Sequence, residues 1–235
     1  MSTKVIAIIP ARAGSKRIPG KNSKPLLGKP LLEWTIDYAK SLQGLEHIAL
    51  SVDSDELAAL GVKNGIEVNR LRPADLATDT ASSIDVVLEE LQYQSEQGRV
   101  FDQVLLLQPT SPFRSAMLWP AAQKMKASTL APAVIGVSPS PVYPEHLFRM
   151  SQTHELQPVL PASQLHKRTQ DLPSSFVVNG SLYLVDIQAM RQTRSFIPAG
   201  TVGVVSDSPH LDIDLDTPED WLQAEYLADY YGVKP

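Results

Sequence analysis

Arg12, Lys16, Arg17 and Lys21 crowd into one short segment, Ala11-Arg12-Ala13-Gly14-Ser15-Lys16-Arg17-Ile18-Pro19-Gly20-Lys21-Asn22. Cations this close repel one another unless an anion sits among them, and a polyphosphate is the natural counter-ion. A second cluster has the opposite sign: Asp212-Ile213-Asp214-Leu215-Asp216. In extended chain, the period of two puts its three carboxylates on one face, which is destabilising unless a cation neutralises them. Carboxylate oxygens with no thiolate or imidazole nearby suit magnesium, which keeps waters and completes its shell with substrate phosphates. Together the two clusters supply the charge neutralisation that phosphoryl or nucleotidyl transfer requires. Each also has a plain structural reading. The first is then a solvated basic loop around a Pro-Gly turn, the second an acidic strand end whose Asp216 or Thr217 caps the next helix.

Elements must bring these clusters together. Lys4-Val5-Ile6-Ala7-Ile8-Ile9-Pro10 is an apolar, β-branched run that reads as a buried strand emptying into the basic loop. In an open α/β sheet that loop lies at the carboxyl edge, where ligands bind. The loop is not a P-loop: five residues separate Gly14 from Gly20, and Asn22 stands where the metal-binding hydroxyl belongs. No G-x-G-x-x-G follows the strand, so a dinucleotide fold of that type is unsupported.

Downstream, strand and helix patterns alternate. Helices are expected over Leu31–Ala39, from the Asp53-Ser54-Asp55 cap through Leu60, after Ser82-Ser83, after Arg114, and after Thr217-Pro218-Glu219-Asp220. Strands are expected at His47–Val52, Ile66–Val68, Val104–Leu107, Ala133–Val137, Gly180–Val185 and Val202–Val205. This predicts an α/β fold with a mostly parallel central sheet and helices on both faces. The rhythm breaks in the Pro-rich stretch between Ser138 and Pro173. We read residues 1–138 as a nucleotide-binding core, 139–173 as an insertion arm of hairpin type that covers a partner subunit or packs back on its own domain, and 174–235 as a return to the core.

Bulk properties narrow the classes. The 235 residues are 43% hydrophobic, enough for a full core. A formal charge of −5 argues against general nucleic-acid binding. Absence of cysteine excludes disulfides, thiolate metal sites and cysteine nucleophiles. No apolar run is long enough to span a bilayer, and Met1-Ser2-Thr3-Lys4 carries no signal-peptide pattern. A cytoplasmic protein is expected.

Five blocks now occur in register. They are the opening loop; Leu71-Arg72-Pro73-Ala74-Asp75-Leu76-Ala77 with Asp79-Thr80-Ala81-Ser82-Ser83; Leu107-Gln108-Pro109-Thr110-Ser111-Pro112; Asn179-Gly180-Ser181-Leu182-Tyr183; and Asp214-Leu215-Asp216-Thr217-Pro218-Glu219-Asp220. Together they resemble the acylneuraminate cytidylyltransferases, over a span from Ile6 to the C-terminal helix. The resemblance implies a homodimeric enzyme that joins CTP to a nine-carbon 2-keto acid sugar and releases pyrophosphate. By carry-over, Ala11, Arg12, Ser15, Lys16 and Lys21 hold the triphosphate, with Asn22 positioning the nucleotide. Arg72, Ala81 and Ser82 line the cytosine and ribose pocket. Gln108, Asn179 and Tyr183 contact the sugar, joined by Arg168 and Gln170 of the stretch Arg168-Thr169-Gln170-Asp171. Asp214 and Asp216 bind Mg2+. Arg12, Lys16 and Lys21 stabilise the charge that builds on the leaving pyrophosphate. The attacking hydroxyl needs a proton acceptor, assigned to a metal-bound hydroxide or an aspartate, Asp216 first.

Two positions depart from the sialic-acid branch. Val177 stands two before Asn179, where that branch can carry an arginine for the sugar carboxylate, and the arm shows Glu145-His146 with Arg149 nearby. These departures make legionaminate or another nonulosonate as compatible as N-acetylneuraminate. Three rivals stay open: a CMP-Kdo synthetase, a glycosyltransferase of the Asp-x-Asp type, and a non-catalytic sugar-nucleotide sensor.

Overall fold

The computed structural model describes residues 3–161, 163, 165 and 167–234. The apolar opening run forms β1 (Val5–Ala11), followed by a two-rung ladder of β2 (Pro25–Leu26) and β3 (Lys29–Pro30). Then come α1 (Leu31–Ser41), β4 (His47–Val52), α2 (Asp55–Lys63), α3 (Ser83–Glu96), β5 (Gln103–Leu106), α4 (Leu118–Thr129) and β6 (Ala133–Pro139). The arm contributes the antiparallel hairpin β7 (Phe148–Met150) and β8 (Leu156–Pro158). β9 (Phe176–Asp186), α5 (Ile187–Thr193), β10 (Val202–Val205) and α6 (Pro218–Tyr231) complete the fold.

Six strands form one sheet in the order β10-β6-β9-β5-β1-β4. β1 pairs in parallel with β4 and β5, and β10 with β6, whereas β9 runs antiparallel to both its neighbours. Its direction follows from the connection. A parallel return needs a crossover back across the sheet, but the arm leaves and re-enters at the same sheet edge, where Pro139 pairs with Phe176.

Two apolar layers bury the sheet, one with Leu32, Ile36, Leu57 and Trp119, the other with Ile84, Val87, Leu91 and Met190. A third cluster joins Ile18 and Leu26 near the basic loop to Ile213, Leu215 and Trp221. Expected caps are in place: Ser54 Oγ accepts from Leu57 N, Ser82 Oγ from Ile84 N, and Thr217 forms a capping box with Asp220. The expected strand at Ile66–Val68 is not one. Ile66 N donates to Gly61 O at the end of α2, and ladder-like contact with β4 is limited to Arg72 N on Val52 O at 2.6 Å.

Candidate active site

The basic loop runs off β1 and folds back through the bonds Lys21 N to Ile18 O and Ser23 N to Gly20 O. Ile18 is buried, which pins the middle of the loop and leaves Lys16 and Arg17 exposed on its crest. The carboxylate segment follows its alternation: Ile213 and Leu215 are buried, Asp214 is exposed, and Asp212 and Asp216 are half-buried. Leu215 N donates to Thr110 O at 2.8 Å, laying the segment beside the loop that follows β5.

The two clusters, nearly the whole chain apart in sequence, meet. Lys21 Nζ donates to Leu215 O at 2.7 Å and lies 3.3 Å from Asp216 Oδ1. Arg17 reaches the other oxygen of Asp216 at 3.2 Å. Asp214 is open to solvent beside them. Partial desolvation raises its carboxyl pKa above the ordinary range, reinforced by the Asp216 charge, while Thr110 and Lys21 pull the other way. Burial raises the Tyr183 hydroxyl, with the Asp214 charge acting in the same direction.

A cleft of about 260 Å³ opens between the loop and α3, lined by Arg12, Lys21, Asn22, Arg72, Ala81 and Gln108 together with Asp79, Ser83 and Thr110. Asn22 is fixed by its Nδ2 on Arg12 O at 2.8 Å, and its Oδ1 is buried with no hydrogen-bond partner among the described residues. That orphaned acceptor in a polar cleft is suited to a donor arriving with a ligand. Arg72 is a wall rather than a free cation. Its guanidinium is committed to Ser51 Oγ at 3.0 Å, Ser51 O at 2.5 Å and, at 3.4 Å, Ala11 O. Burial pushes its pKa down.

The remaining expected residues lie around or away from this cleft. Ala11 closes β1 and is buried. Ser15 N bonds Ala13 O within the loop, and Lys16 sits 2.5 Å from Asp79. Ser82 uses its hydroxyl to cap α3, and the neighbouring Ser83 lines the cleft. Asn179 is buried with its side chain bonded to Ser138 and Ser181. Arg168 and Gln170 are exposed in the arm and do not line the cleft; Arg168 pairs with Asp171 at 2.8 Å. Sequence reasoning did not single out Arg114, whose buried guanidinium donates to Gln108 O at 2.5 Å, Ser181 O at 2.6 Å and Thr35 Oγ1 at 2.9 Å. It ties the Gln108 loop to β9. Its sequence signal was a lone cation at the end of the run Gln108-Pro109-Thr110-Ser111-Pro112-Phe113.

A model of the family described as cytidylyltransferase matches residues 6–193, most of the chain. The chain belongs to the cytidylyltransferase family. The enzyme is 37% identical over 227 residues to the CMP-N,N'-diacetyllegionaminic acid synthase of Legionella pneumophila, covering 96% of this chain and 97% of the relative. It is 27% identical to the pseudaminic acid cytidylyltransferase of Campylobacter jejuni, over 95% and 96% of the two chains. Among solved structures it resembles a CMP:2-keto-3-deoxy-manno-octonic acid synthetase complexed with CTP, with a TM-score of 0.68 at 18% identity, covering 97% of this chain and all of that one. At that identity the likeness establishes the shared fold alone, the mostly parallel α/β sheet that the strand–helix alternation predicted. Membership of the cytidylyltransferase family makes the enzyme a nucleotidyltransferase.

Proposed function

We propose that this cytidylyltransferase activates a nonulosonic acid with CTP, and that its sugar is of the legionaminic type. The observation that carries the reading is the contact of Lys21, which lines the cleft, with Leu215 O and Asp216, which brings the basic loop against the carboxylate segment. The sugar assignment is supported by the full-length likeness to the Legionella relative and by Val177 in place of an arginine.

Arg12 and Lys16 receive the outer phosphates, and Lys21 and Arg17 face the charge that grows on the leaving pyrophosphate. Such preplaced cations act mainly where charge develops. The 2-hydroxyl of the sugar attacks the α-phosphorus, its oxygen forms the new P–O bond, and the bond to pyrophosphate breaks. Asp216 takes the hydroxyl proton. Asn22, Arg72 and Ala81, with Ser83 in place of the capping Ser82, hold the nucleoside, and Gln108 and Tyr183 face the sugar.

Mg2+ is the proposed metal. Among the described residues, no group of three or more histidine or carboxylate side chains is arranged to hold an ion alone. The pair Asp214 and Asp216 nevertheless fits a hard cation whose shell is completed by nucleotide phosphates and water. When bound, the ion neutralises phosphate charge.

Residues 139–173 are proposed as a dimerisation arm. Phe148 and Met150 of β7 and Leu156 of β8, which pairs with Met150, are exposed on the hairpin, apolar surface of the kind that marks an interface. We place Arg168 and Gln170, which do not line the cleft of their own chain, at the sugar end of the second copy's cleft. Among the described residues no helix is long and apolar enough to cross a membrane, and a cytoplasmic site of action is proposed. The test is pyrophosphate release from CTP with N-acetylneuraminate, legionaminate, pseudaminate and Kdo offered in turn. Release is expected with legionaminate; preference for Kdo, or release with none, would overturn the reading.

A further inference from the structure

β6 and β9 part company at one point. Ile135 pairs with Tyr183 but Val137 pairs with Val178, so Asn179–Leu182 bulge against the single residue Gly136. Gly180 takes φ +72, a conformation that favours glycine, and a Cβ on Gly136 would come within 2.2 Å of Ser181 Oγ and 2.7 Å of Asn179 Oδ1. The bulge turns Asn179 inward, away from the cleft, where it is 8% exposed. Its Oδ1 accepts from Ser181 N at 3.1 Å and Ser181 Oγ at 2.6 Å, so both carbonyl lone pairs are taken. Its Nδ2 donates to Ser138 Oγ at 3.0 Å, and that hydroxyl in turn donates to the carboxylate of Asp212. Ser111 Oγ closes the network on Asn179 O at 3.2 Å.

Asp212 opens the carboxylate segment. The segment is thus held at both ends, by Ser138 at Asp212 and by Thr110 O at Leu215 N, with Asp214 between the two anchors. A buried polar chain in which every member is partnered is stiff, and outer hydrogen bonds of this kind orient metal ligands. We propose that Asn179 and Ser138 are positioning residues: through Asp212, which serves as an anchor rather than a metal ligand, they hold Asp214 and Asp216 beside the basic loop. This assigns Asn179 to the carboxylate segment rather than to the sugar. The inference rests on the reading of Asp214 and Asp216 as the metal carboxylates.

Two measurements separate the anchor from that reading. The first is amide hydrogen exchange over 211–217 in the metal-free protein. Ser138→Ala should speed exchange there while leaving β1, β4 and β5 protected; unchanged exchange overturns the anchor whatever the metal does. The second is Mn2+ binding to the CTP-loaded protein, followed by electron paramagnetic resonance. Ser138→Ala and Asp212→Ala should weaken Mn2+ about tenfold or more, with CTP affinity in the absence of metal unchanged. Asp212→Asn, whose amide oxygen can still accept from Ser138, should bind Mn2+ within about threefold of the parent. Loss of Mn2+ in Asp212→Asn as complete as in Asp214→Asn would make Asp212 a ligand and overturn the proposal. So would normal binding in Ser138→Ala alongside loss in Asp214→Asn. Normal binding in Asp214→Asn would instead overturn the metal reading, and the exchange result would still decide the anchor.

Discussion

The Arg12 guanidinium lies 2.5 Å from the Asp79 carboxylate, and Lys16 approaches the other oxygen of the same group at 2.5 Å. An internal anion therefore occupies two of the cations assigned to the triphosphate, and their hydrogen bonds draw the Asp79 pKa below its ordinary value. On the proposed reading, a nucleotide displaces it. Exposed pairs of this kind are weak, so Asp79→Asn should bind CTP only severalfold more tightly by calorimetry at low salt. The gain should shrink as salt screens the surface charges. Weaker binding in the variant would mean that Asp79 contacts the nucleotide directly.

Lys21 is the hinge between the two charged clusters, with a side chain only 12% exposed. Lys21→Met keeps much of its packing and removes the charge. Its kcat should fall by about 10²–10³, the usual loss for a preplaced group that meets developing charge. Asp216→Asn should abolish turnover while CTP binding persists. Pyrophosphate-release kinetics beside CTP calorimetry would show both, and near-normal turnover in Asp216→Asn would remove that residue from the mechanism.

Leu215 is fully buried in the cluster that joins the loop to α6. Leu215→Ala removes that anchor and leaves a cavity, a change that costs about 2–5 kcal/mol. Urea unfolding should show the loss.

His47 lies on the edge strand, stacked 6.2 Å from Phe101. Burial, then the charge of Arg99, lowers its pKa from 6.5, with Glu67 opposing. The unfolded chain thus takes up the proton before the folded one does. Stability from this residue is complete above about 6.5 and is lost as pH falls from there through the lower folded value. The urea midpoint should therefore drop between about pH 7.5 and 5.5, and His47→Gln should flatten that part of the slope.

Much of this was legible in the chain, and for local reasons. Caps at Ser54, Ser82 and Thr217 are set by one side chain and a backbone amide a few residues on. The alternation at Asp212–Asp216 foretold that Ile213 and Leu215 would turn inward. What the local pattern lacks is partners. Nothing near Asp212 in sequence names Ser138, and nothing near Arg12 names Asp79. The inward turn of Asn179 depends on register between β6 and β9, whose only local traces are Gly136 in an apolar strand and the Asn179-Gly180 pair. Ile66–Val68 looked like a strand because its alternation is correct. It lacks a ladder partner because the chain there is tied back to α2.

The central claim is cytidylyl transfer to a sugar hydroxyl, and phosphorus NMR of the running reaction tests it most directly. With CTP, Mg2+ and legionaminate, the account predicts that the triphosphate signals give way to one phosphodiester and one pyrophosphate in equal amounts. Appearance of CMP monoester with pyrophosphate, or of CDP and phosphate, would show hydrolysis or a different transfer and would contradict it.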